Sequence, residues 1–148
     1  MKTTQLRLTH VLLLLLTALL TTSVVGDAFK THGDLKIFYS AFPSTVIPAE
    51  IASANGIIRG VDRGVVNIAA VKKLGTGLPV IIYGEFSNIM QQTKKLEFTE
   101  IQEGSTVYYI APFEFDNEDF LTFKIRVKTD SAAPAYAFKF QKIMYVDK

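Results

Sequence analysis

Arg59, Asp62 and Arg63 form the one cluster of side chains whose types and spacing suggest a binding chemistry. Two guanidinium groups four positions apart, beside Gly60 and Gly64, suit an anion or a carboxylate. Each planar fork grips two oxygens at once, and a glycine lets a ligand come close to the backbone. The competing reading is mechanical. Arg59 or Arg63 pairs with Glu50 or Asp62, Ser44 and Thr45 satisfy exposed backbone groups, and the stretch is pinned to the body of the domain. The charges are local and balance one another, which favours pinning. The candidate anion- or partner-binding loop is thus Ser44, Thr45, Glu50, Arg59, Asp62 and Arg63, with both readings open.

Other chemistries find less material. A serine nucleophile needs a histidine base, and the chain holds only His10 and His32. Two histidines also fall short of a zinc site with three protein ligands. There is no cysteine, hence no disulfide, thiolate metal site or thiol nucleophile. Glu114, Asp116, Glu118 and Asp119 offer oxygen ligands for calcium, but the spacing departs from the twelve-residue loop with its central glycine. They read instead as solvated residues of a hairpin turn. Glu85, Glu97 and Glu114 could be imagined as paired carboxylates for glycoside chemistry, as could acids on any half-wet sheet. No catalytic residue, metal or cofactor is expected.

The elements that position these residues are strands. Period-two alternation marks Leu35–Phe42, Val65–Lys72, Val80–Met90, Lys95–Gln102, Thr106–Phe115, Leu121–Lys128 and Tyr136–Val146. The clearest puts Leu121, Phe123, Ile125 and Val127 on one face and Thr122, Lys124, Arg126 and Lys128 on the other. The last changes phase at Ile143 and Tyr145, which predicts a bulge near Gln141–Lys142. Short connections predict antiparallel neighbours. About seven such strands imply an all-β, two-layer antiparallel sandwich of immunoglobulin-like arrangement, with a small β-barrel as the alternative. Phe113, Phe115, Phe123, Phe138 and Phe140 read as core. Between Phe42 and Val65, Pro48 suits a first helical position and Asn55-Gly56 a stop. A short helix of about two turns is expected there, laid across one end of the sandwich.

Residues 1–26 read as an export signal: Lys2 and Arg7 precede an apolar run from Val11 to Leu20, and small residues allow a cut before Asp27 or Phe29. That run is shorter than the ~20 apolar residues of a spanning helix, so no stable membrane span is expected after the cut. Residues 27–148 then form one domain. Removing the signal takes two of the 16 basic residues and none of the 14 acidic ones, leaving the charges balanced. A nucleic-acid binder usually shows a clustered basic surplus, and none is visible. No Asn-x-Ser/Thr acceptor is present. With cysteine also absent, a bacterial periplasm or exterior fits best.

Tyr39-Ser40-Ala41-Phe42-Pro43-Ser44-Thr45, Pro48-Ala49-Glu50-Ile51-Ala52, Gly56-Ile57-Ile58-Arg59 and Arg63-Gly64-Val65-Val66-Asn67-Ile68 resemble the signature of the DUF4426 family of small exported bacterial proteins. Leu96-Glu97-Phe98, Glu103-Gly104 and Val107-Tyr108-Tyr109 continue the likeness. The resemblance implies export and a compact β domain, and it supplies no activity. The function expected is an exported, non-enzymatic binding or accessory module acting on an envelope protein or small ligand. Two alternatives stay open: a carboxylate- or metal-dependent enzyme, and an assembly factor that acts by strand addition.

Overall fold

Alternation along the chain becomes two facing sheets. The computed structural model describes residues 29–72 and 75–146; the expected export signal at 1–26 lies outside them. One sheet has five strands: β1 (Phe29–His32), β2 (Leu35–Pro43), β3 (Arg63–Lys72), β7 (Thr106–Glu114) and β6 (Thr99–Glu103), in the order β1-β2-β3-β7-β6. The other has four: β5 (Thr93–Leu96), β4 (Ile81–Ser87), β8 (Asp119–Lys128) and β9 (Tyr136–Met144), in the order β5-β4-β8-β9. Every pairing is antiparallel. Leaving β1 aside, this is the Greek-key order of an immunoglobulin-like sandwich. Both sheets are open, so the barrel alternative falls away. In β8, Leu121, Phe123, Ile125 and Val127 are each at most 2% exposed while Lys124 and Arg126 face water.

Nine strands form among the described residues where about seven were expected, for two reasons. Strand β1 carries too few residues to show alternation, yet it pairs with β2 and sets Phe29 against Phe38 at 5.6 Å between ring centroids. The stretch expected as Lys95–Gln102 is two strands in different sheets. Leu96 and Phe98 keep the period across the break, and neither glycine nor proline marks it. The strand expected to run to Met90 stops at Ser87. There the Asn88 carboxamide oxygen accepts the N–H groups of Met90 and Gln92, both at 3.1 Å, and closes a turn with Gln91 at φ +62°.

Two further expectations are corrected. Short links do not all join neighbours: β3 to β4, β5 to β6 and β7 to β8 each pass from one sheet to the other. The acidic run at 114–119 is therefore a link between sheets and not a hairpin turn. The bulge near Gln141–Lys142 is absent, because the β8–β9 register runs unbroken from Asp119↔Met144 to Val127↔Tyr136. Met144, in phase with Tyr136, Phe138 and Phe140, fills the core, and Ile143 and Tyr145 face solvent.

Aromatic rings join the two layers. The Phe123 ring lies 4.8 Å from Phe140 and 5.2 Å from Phe113, and Phe113 is 5.4 Å from Phe86. Each buried phenylalanine contributes on the order of 1.5–3 kcal/mol relative to exposure. Phe113 lies opposite Gly64 in the register, and a Cβ built on Gly64 would sit 2.4 Å from its ring. Only a residue without a side chain fits beneath that ring.

Candidate functional site

The connection from Ser44 to Asp62 closes the β2–β3 hairpin. It holds a 3-10 turn (Ser44–Val46) and one helix, α1 (Ala49–Ala54). Pro48 stands one position outside α1 rather than in it, and its carbonyl accepts the Ala52 N–H at 2.9 Å. The stop at Asn55-Gly56 forms as expected. Gly56 takes φ +66°, Ile57 N–H donates to the Ala52 carbonyl at 2.8 Å, and Gly56 N–H to that of Ser53 at 3.3 Å. This pair of bonds is the Schellman motif, and the positive φ requires glycine.

Hydrogen bonds pin the connection at both ends. The Ser44 hydroxyl, fully buried, accepts the Gly60 N–H at 3.0 Å and donates to the Gly60 carbonyl at 3.2 Å. One side chain thus satisfies both polar groups of a backbone unit sixteen residues away. Arg59 Nη2 donates to the Thr45 carbonyl at 2.9 Å. The Asp62 carbonyl accepts the Phe115 N–H at 3.0 Å, tying the connection to the end of β7. Arg63 Nη2 lies 3.2 Å from Glu114 Oε1 across the β3–β7 pair.

Of the six residues singled out from the sequence, Ser44, Thr45 and Arg59 come together around Gly60. Arg63 turns to Glu114 instead of Glu50 or Asp62. Glu50 lies exposed in the first turn of α1 and forms no ion pair with a described residue. The two glycines do not leave room for a ligand. Phe113 covers Gly64, and a Cβ on Gly60 would meet Arg63 Cδ and Asp62 Oδ1, each at 3.0 Å.

What the sequence did not single out are the apolar side chains that this pinned frame turns outward. Val46, Ile51, Ile58 and Val61 are between 50% and 68% exposed, while Ala52 is the buried residue of α1. The β4–β5 turn, which bears Ile89 and Met90 at 74% and 70% exposure, stands at the same end of the sandwich. A hollow of about 230 Å³ locates it there, since Asp62, Asn88, Gln92 and Asp119 share its lining. Isolated exposed leucines or valines are ordinary on a protein surface, whereas large contiguous apolar patches are the kind that proteins use for interaction. Branched residues on both sides of the Asn55-Gly56 stop could have suggested this; only the fold shows which way they point.

The remaining candidates are dispersed. Glu114 pairs with Arg63 and Glu85 with Lys124, each at 3.2 Å. Glu118 takes φ +60° in the link between sheets, and Asp119 N–H donates to the Asp116 carbonyl at 3.2 Å. Among the described residues no three histidine or carboxylate side chains gather closely enough to hold a metal ion. His32 lies in β1 with its ring stacked on Tyr136 at 4.5 Å. No helix among the described residues is long and apolar enough to cross a membrane.

Comparison with known proteins agrees with this architecture. The family model described as "Domain of unknown function (DUF4426)" matches residues 29–147. The crystal structure of a DUF4426 family protein from Pseudomonas aeruginosa PAO1 is similar at TM-score 0.72 and 28% identity, over 81% of this chain and 95% of that one. A copper-bound variant of FetP from uropathogenic Escherichia coli strain F11 is similar at TM-score 0.56 and 9% identity, over 78% and 93% of the two chains. FetP as isolated, expressed in the periplasm of E. coli, gives TM-score 0.55 and 12% identity over 80% and 92%. At such identities the FetP likeness is one of fold. Among curated proteins none matches the sequence significantly.

Proposed function

The chain belongs to the DUF4426 family, and from that premise we propose that it is an exported, non-enzymatic binding module of the bacterial envelope that takes a protein partner on the loop-bearing end of its sandwich. The observation that carries this reading is the combination at Ser44–Asp62: a backbone locked by Ser44–Gly60 and Arg59–Thr45 bonds, and four branched apolar side chains held out into water. A pre-ordered apolar surface loses little freedom on docking, which is how a small patch gains affinity. Arg59 and Glu50 would form its polar rim. The copper named for FetP is not carried over, because the likeness is of fold alone and no histidine or carboxylate cluster gathers among the described residues. Strand addition has less support: the nine-residue edge strand β9 carries Lys139 and Lys142, the kind of residue that guards an edge against pairing.

The test is site-specific photo-cross-linking in the native envelope. A photoreactive residue at Ile51 or Ile58 is expected to capture one discrete protein, whereas the same group at Ser105, at the far end of the sandwich, captures none. The Ile51→Ser/Ile58→Ser double variant should lose that partner while its unfolding free energy moves by no more than about 0.5 kcal/mol per site, as for exposed positions generally. Equal capture from Ser105, or a partner retained by the double variant, would rule the reading out.

A further inference from the structure

The outward face of the four-stranded sheet carries a shallow groove of about 910 Å³. The register places one line of charges across it. Lys95 lies opposite Glu85, Glu85 opposite Lys124, and Lys124 opposite Lys139, so a single row spans all four strands. With strands about 4.8 Å apart, the row is roughly 14 Å long. One row further along stand Tyr83, Arg126 and Ala137. The Arg126 guanidinium lies 5.7 Å from the centroid of the Tyr83 ring, which supports the fork from below. Ala137, with its single methyl, leaves the space between Arg126 and Lys139 open.

This arrangement is poorly matched from within. Lys124 and Lys139 are directly opposed across β8 and β9, a like-charge pairing that disfavours the sheet. Only Lys124 has an ion-pair partner, Glu85 at 3.2 Å, and that pair is open to solvent. Lys95, Arg126 and Lys139 form no ion pair with a described residue. The lining sets four cations against Glu85 and Glu97, an excess of two positive charges within a domain whose charges balance overall. A carboxylate would neutralise half of that excess. A phosphate monoester, which carries about −1.5 to −2 near neutral pH, would neutralise nearly all of it. A planar guanidinium grips such a group at two oxygens, and lysine ammonium groups close around the third.

We propose that this face binds a ligand bearing a phosphate monoester, held by Arg126, Lys124 and Lys139. The site is separate from the loop-bearing end, and neither depends on the other. The phosphate could come from a soluble metabolite or from a lipid headgroup, and two probes separate these sources. Glycerol 3-phosphate is titrated into the isotope-labelled full chain, as its host processes it, at low salt, with glycerol as control. Vesicles containing phosphatidic acid are tested by co-sedimentation against vesicles of phosphatidylcholine alone.

Binding of glycerol 3-phosphate, with amide shifts confined to the middle of β4, β8 and β9, indicates a soluble ligand. Binding of phosphatidic acid vesicles without measurable glycerol 3-phosphate affinity indicates a membrane headgroup. In either case Arg126→Gln/Lys139→Gln should weaken binding at least tenfold, and Lys142→Gln, outside the groove, should leave it unchanged. These side chains are exposed, so an unaltered melting temperature and amide spectrum confirm that the variants fold. Lys139→Glu gives a second check by charge reversal. Failure of both probes to bind the unaltered chain overturns the proposal. So does an equal loss with Lys142→Gln, which would mark diffuse charge attraction in place of a site.

Discussion

The Tyr109 hydroxyl accepts the Val80 N–H at 2.8 Å and donates to Glu100 at 2.9 Å, joining the β3–β4 link to β6 and β7. Burial pushes its ionisation above the ordinary value near 10; the Val80 hydrogen bond opposes that shift, and the neighbouring Glu100 carboxylate adds to it. Because the folded value lies above the unfolded one, the unfolded chain releases its phenolic proton first as pH climbs. The stability held by Tyr109 is therefore complete below about pH 10 and is lost as pH rises through the folded value. Tyr109→Phe strands the Val80 N–H and is expected to cost about 1–3 kcal/mol at neutral pH. It should also flatten the decline of stability above pH 10. Urea denaturation at pH 7, 9.5 and 11 measures both effects, and an unchanged alkaline slope would show that other groups govern it.

At the scale of elements, the packing of β3 against β7 rests on a vacancy that glycine supplies. Phe113 lies over Gly64 with no room for a methyl group. Gly64→Ala is expected to destabilise the domain by about 1–3 kcal/mol, the usual cost of overpacking. Phe113→Leu removes part of the ring and should recover some of that loss, so the two substitutions should couple in a double-mutant cycle. Strictly additive effects would mean that the ring moves aside freely. Helix α1 teaches a related lesson. Its stop was readable from Asn55-Gly56, because a positive φ at a helix end is a local demand that glycine meets. The filling of Gly64 was not readable, since its partner stands 49 positions away. The two glycines next to the arginines looked alike in sequence and suggested an approach for a ligand; in the fold both spaces are filled by the protein's own side chains.

Considered as a whole, the sandwich separates its surfaces: apolar loop tips at one end, a cationic groove on the four-stranded sheet, and a core of interleaved aromatic rings between the layers. The described fold begins with β1 at Phe29, so a cut before Asp27 or Phe29 would leave that strand whole. Intact-mass measurement of the chain recovered from a bacterial envelope is expected to show one of those two starts. A product still carrying residues 1–26 would remove the reading of that stretch as a cleaved signal and mark it as a retained anchor.

By itself the sequence determined the alternating faces, the dry stripe of β8, the stop of helix α1 at Asn55-Gly56, and the absence of cysteine and with it of thiolate chemistry. Each of these is encoded within a few neighbouring residues. Tertiary structure decided which sheet received each strand, that Arg63 met Glu114, that Met144 and not Ile143 entered the core, and that three lysines lined up across separate strands. Those outcomes depend on pairings between distant segments. Alternation states that a strand has two faces, and only the assembled sheets settle what each face meets.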